Sequence, residues 1–84
     1  MAYKLEIADS ISEKLRKFVK KDSTTYNRLL KAFHRIQENP HGVGKWMHGE
    51  YAFVREIHIS HFVLKYTIND KDKVVTIVDY DHHA

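Results

Sequence analysis

The stretch Phe53-Val54-Arg55-Glu56-Ile57-His58-Ile59-Ser60-His61-Phe62-Val63-Leu64-Lys65-Tyr66-Thr67-Ile68 carries two β-periodic runs back to back. Phe53, Ile57 and Ile59 alternate with Val54, Glu56 and His58. After a turn near Ser60, Phe62, Leu64, Tyr66 and Ile68 alternate with His61, Val63, Lys65 and Thr67. A period of two sends successive side chains to opposite faces, so the two runs predict a half-buried hairpin. Arg55 falls on the apolar parity and reads as a bulge or a strand rim. Downstream, Asn69-Asp70-Lys71-Asp72 predicts a hairpin loop and Lys73 to Asp79 a third β-rich run.

Upstream the period changes. Tyr3-Lys4-Leu5-Glu6-Ile7 alternates like a strand, and Ser10-Ile11-Ser12-Glu13 fits a capping box at a helix start. Ile11, Leu15, Phe18 and Val19 then recur at helical spacing, and Lys20-Lys21 suit the negative end of the helix dipole. Asp22-Ser23-Thr24-Thr25 is a second cap cluster. Behind it Tyr26, Leu29, Leu30, Phe33 and Ile36 form an apolar stripe, with the helix ending near Asn39-Pro40. An Asp at Tyr26 or Leu30 is therefore expected to unfold the domain. His41-Gly42-Val43-Gly44 reads as a loop whose glycines are turn residues. The order is β-α-α-β-β-β, an α+β domain with a helical hairpin packed on one face of a small antiparallel sheet.

The 84 residues, 43% of them hydrophobic, hold one domain (1–84) with one modest core. The absence of Cys excludes a disulfide framework, thiol catalysis and thiolate metal sites. No apolar run approaches the ~20 residues of a membrane span, and Met1-Ala2-Tyr3-Lys4 does not read as a signal peptide, so the cytoplasm is the expected compartment. Residues 1–44 carry nine Lys/Arg and five Asp/Glu, whereas residues 45–84 carry five and six. Five of the seven His (His48, His58, His61, His82, His83) lie in the second half. A basic half is thus joined to one whose charge changes near neutral pH.

If the helices cover the sheet face bearing Phe62, Leu64 and Tyr66, then Glu56, His58, His61 and Lys65 point to an open face. On these residues the chain resembles the RelE/ParE toxin superfamily, and within it the YafQ-like and RelE-like mRNA endonucleases. The resemblance is carried by Trp46-Met47-His48-Gly49, by His58 to Tyr66 across the hairpin, and by Asp79-Tyr80-Asp81-His82-His83. It implies a toxin of a type II toxin–antitoxin system that cuts mRNA in the ribosome, without metal or cofactor. Its implied partners are a cognate antitoxin, the ribosome and mRNA. It further implies functional roles for His58, for His61 where relatives carry Asp, and for His83 before Ala84. Relatives of the RelE type carry Arg at the position of Val63, so Lys65 or Lys45 would have to supply the missing cation.

Metal-independent RNA cleavage needs a base for the 2′-OH, an acid for the 5′-oxygen and cations for the phosphorane, and imidazoles suit the first two roles. His58, His61, His83 and Lys65 are the candidate catalytic set, with Glu56 and Lys45 beside them. No regular ligand spacing assigns a metal to Asp79, Asp81, His82 and His83. Asp79 and Asp81 read as carboxylates that orient neighbouring imidazoles. Lys17, Lys21, Arg28 and Arg35 belong either to a solvated helix surface or to a face that contacts ribosomal RNA phosphates. The alternative from another class is a non-catalytic binding module on the same fold, a degenerate toxin or a gyrase-type inhibitor, which Val63 in place of Arg favours.

Overall fold

A computed structural model of the chain describes residues 2–47, 53–59 and 62–82, with side chains except those of Phe18, Val19 and His82. Seven elements follow one another: β1 (Lys4–Ile7), α1 (Asp9–Val19), α2 (Ser23–Glu38), β2 (Lys45–Trp46), β3 (Arg55–Ile59), β4 (Phe62–Asn69) and β5 (Val74–His82). Helix α1 starts one residue before the capping box, where the Ala8 carbonyl accepts the N–H groups of Ile11 and Ser12 at 3.0 and 2.9 Å. Asp22 caps α2: its carboxylate accepts the Thr25 N–H at 3.1 Å and the Thr25 hydroxyl at 2.7 Å. These bonds hold the Asp22 carboxyl below the usual carboxylate range. A depressed folded pKa adds stability above the unfolded value, lost as pH falls through the folded one. Asp22→Ala is therefore expected to lower Tm at pH 7 and to leave a shallower loss of Tm between pH 5 and about 2. An unchanged acid limb in thermal melts would assign that loss to other groups.

The sheet runs β1-β5-β4-β3-β2. Strands β2 to β5 are antiparallel neighbours, but β1 lies parallel to β5, with Leu5 opposite Val75 and Ile7 opposite Ile77. The sheet is thus mixed, and the two-residue β2 adds an edge. Parallel pairing requires a crossover, and the helical hairpin, β2, β3 and β4 all lie between the two partners in sequence. Strand β5 runs past Asp79 to His82.

Leu29, Ile36, Leu64, Tyr66, Val75 and Ile77 are fully buried between helices and sheet. The α2 stripe is narrower than its sequence: Leu29, Ala32, Phe33 and Ile36 face the core, whereas Leu30 is 44% exposed. The expectation that Leu30→Asp unfolds the domain is overturned. That variant should shift Tm by only a few degrees, within the range of ordinary surface changes.

Arg55 is the first residue of β3, at the strand's rim, and is not a bulge. It is buried, pairs in register with Trp46 and Tyr66, and turns its guanidinium to the loop after α2. Nε and Nη2 donate to the Val43 carbonyl at 3.2 and 3.1 Å, and Nη2 also donates to the Gly44 carbonyl at 2.9 Å. The Tyr66 hydroxyl approaches the carbonyls of Pro40 (2.9 Å) and Val43 (2.7 Å). Gly44, at φ 72°, allows this approach; a Cβ there would meet the Glu56 carbonyl oxygen at 2.6 Å. Trp46 lies over the Arg55 guanidinium, 4.6 Å from ring centroid to Cζ.

Candidate active site on the open sheet face

Strand register assembles the charged residues. Lys45 lies opposite Glu56, Glu56 opposite Lys65, and Lys65 opposite Asp79, so four strands contribute one transverse row of alternating sign. Leu64 and Tyr66, on the opposite parity, are buried under the helices, which leaves this row on the helix-free face. The next row is His58, Val63 and Asp81. Across the row Lys65 Nζ stands 3.6 Å from Asp79 Oδ2, and along β3 His58 Nε2 stands 3.6 Å from Glu56 Oε1. Asp79 Oδ1 also accepts the Tyr80 N–H at 2.9 Å, which anchors the carboxylate. Tyr80, opposite Leu64, is buried, and its phenol is pushed up to about 12 by that burial; it is no acid or base near neutrality.

Register slips once in this region. Lys65 pairs with Asp79 but Tyr66 with Ile77, so Val78 is an extra residue in β5. Such a bulge bends the strand and re-aims its side chains. Val78 is 40% exposed and lines a cleft of about 430 Å³ together with Lys65, Thr67 and Asp79. The β2–β3 connection supplies the rest of the lining, namely Met47, Phe53 and Val54. Phe53, placed by its parity on the apolar face, precedes the first residue of β3 and is 66% exposed.

Of the expected site residues, the structure brings Lys45, Glu56, His58, Lys65, Asp79 and Asp81 to one face. His61 and His83 lie outside the described residues, and His82 is described only by its backbone register opposite Phe62. Lys17, Lys21, Arg28 and Arg35 are exposed on or beside the helices. Sequence reasoning missed the cleft and its bulge. The available signal is the spacing of buried residues in β5: Val75 and Ile77 keep the period of two, and Tyr80 breaks it.

No helix of the described residues is long and apolar enough to cross a membrane. No family model matches the chain. A protein of Methanocaldococcus jannaschii named as a candidate toxin, RelE4, is 37% identical over 82 residues, 96% of this chain and 86% of its own. The toxin–antitoxin complex RelBE2 of Mycobacterium tuberculosis contains a chain of the same fold, with TM-score 0.83, 23% identity and 99% and 100% coverage. The isolated RelE toxin of E. coli superimposes with TM-score 0.80 at 22% identity, over 99% of this chain and 86% of that one.

Proposed function

The chain belongs to the RelE family of toxins, and on that premise we propose that it cuts mRNA held in the ribosome and is silenced by a cognate antitoxin protein. The observation that carries this reading is the register-built set Lys45, Glu56, His58, Lys65 and Asp79 on the helix-free face. The antitoxin is supported by the fold match to a chain of a toxin–antitoxin complex.

In the reaction the 2′-oxygen attacks the adjacent phosphorus as an imidazole removes its proton. The P–O5′ bond then breaks, and a second proton donor protonates the departing oxygen. The products are a 2′,3′-cyclic phosphate and a 5′-hydroxyl. His58, with Glu56 to orient it, takes one of these proton transfers; His61 and His83 are the candidates for the other. Lys65 supplies charge to the phosphorane in place of the Arg absent at Val63. No step calls for a metal-bound water, so cleavage should survive EDTA at concentrations that leave ribosomes intact. Full loss restored by Zn²⁺ or Mn²⁺ would make Asp79 and Asp81 ligands.

Charge distribution supports dependence on the ribosome. Among the described residues the open face carries Lys4, Lys45 and Lys65 against Glu6, Glu56, Asp79 and Asp81, whereas Lys14, Arg16, Lys17, Lys20, Lys21, Arg28, Lys31 and Arg35 are all exposed on or beside the helices, against Asp9, Glu13, Asp22 and Glu38. Free RNA is attracted mainly to the side away from the chemistry, and ribosomal RNA bound there leaves the open face for the strand to be cut. Neutralising Lys17, Lys21, Arg28 and Arg35 together should weaken ribosome binding and reduce its salt slope by roughly one for each phosphate left without its cation. Equal affinity and slope would return these residues to solvation. Primer extension on mRNA after induced expression tests the function itself: new 5′ ends inside translated codons are expected. Growth arrest with no new ends would favour the binding-module alternative, which has Val63 in its favour.

A further inference from the structure

The cleft is the one markedly apolar part of an otherwise charged face among the described residues. Phe53 and Val78 are 66% and 40% exposed there, with Met47 and Thr67 beside them and the Lys65–Asp79 pair in its lining. Exposed large apolar side chains gathered in one place mark a contact surface. A phosphate gains nothing from such walls. A nucleobase has two apolar faces and a polar edge, and single-stranded RNA is read by stacking such bases on aromatic side chains. We propose that this cleft seats one unstacked base of the RNA, next to the phosphate that Lys65 faces. Phe53 is its stacking platform, and the Asp79 carboxylate accepts from the base's N–H donors. All four bases carry such a donor on the pairing edge, so the seat fixes the position of the strand and tolerates its sequence. Lys45, one place beyond Glu56 in the charged row, is available to a flanking phosphate. The inference deepens the endonuclease reading and rests on it for the identity of the strand.

The test is methyl-detected NMR on Met47, Thr67 and Val78 during titration with an uncleavable 2′-O-methyl trinucleotide, and with the same molecule lacking its central base. The intact trinucleotide should shift these methyls saturably, and removal of the base or Phe53→Ala should weaken binding by about 5–100-fold. Phe53→Trp should retain it. Equal shifts from the abasic molecule, shifts confined to the helices, or no shift at these methyls would each overturn the seat. So would a cleft that accepts an antitoxin side chain and no trinucleotide. Since the measurement needs no cleavage, it separates the two ideas. Base-dependent shifts in a protein that cuts no mRNA would end the endonuclease reading alone. Cleavage that is indifferent to an abasic residue beside the cut would end the seat alone.

Discussion

Replacing His58 with Ala is expected to slow cleavage of ribosome-bound mRNA by about 10²–10⁴-fold, the usual worth of a positioned proton-transfer group. The fold should not notice the change. The His58 side chain is 58% exposed on the helix-free face, and the core lies on the other side of β3. Tm and ribosome affinity should therefore stay near wild type, which places the loss in the chemical step. Glu56, 3.6 Å from Nε2, is expected to act through His58. Glu56→Gln should cost less in rate than His58→Ala and leave Tm near wild type, as expected of a carboxylate that orients the imidazole. Lys65→Ala should also slow the reaction, though less steeply, because an ammonium is a point charge without the guanidinium's fork. Val63→Arg supplies that fork between His58 and Asp81, its neighbours across the row. A rate equal to or above wild type is expected if the site lacks only its cation, and a lower rate if Asp81 captures the new charge.

Arg55→Ala should lower stability by about 3 kcal/mol, since charge-assisted hydrogen bonds to two carbonyls disappear together. For a domain of this length that corresponds to a fall of about 10–20 °C in Tm. Val43 and Gly44 lead directly into Lys45, so the same variant should also reduce cleavage by loosening the edge of the charged row. Arg55→Lys should recover only part of the loss. Trp46 is the single tryptophan of the chain and lies 4.6 Å from the guanidinium, so its fluorescence reports the change directly. A Tm within about two degrees of wild type would show that the loop after α2 is held by Tyr66 alone.

Local spacing makes most of the elements legible, because helical and strand periods are set by which side chains must leave water. What spacing does not carry is the neighbour. The alternation of Tyr3 to Ile7 marks a strand, but nothing in it says that its partner is β5, at the far end of the chain, or that the pair is parallel. Leu30 sits on the margin of an apolar stripe, and the placement of α1 and the sheet decides that Leu29 is covered and Leu30 is not. Arg55 reads as an interruption because its compensating carbonyls come from a loop 11 and 12 residues earlier. The charged face is legible from alternation once the helices are assigned to one side. The Lys45–Glu56–Lys65–Asp79 row is not, since register across four strands depends on the bulge at Val78.

If this face directs an RNA strand's own 2′-hydroxyl onto its neighbouring phosphate, the fragment ends carry the signature of that attack. The most direct measurement is end-group analysis of fragments produced by the purified protein on mRNA-programmed ribosomes, with the same mRNA free in solution alongside. A 2′,3′-cyclic phosphate upstream, a 5′-hydroxyl downstream, and no cutting of free mRNA are the predicted result. A 3′-hydroxyl with a 5′-phosphate, or no cleavage on the ribosome at all, would contradict it.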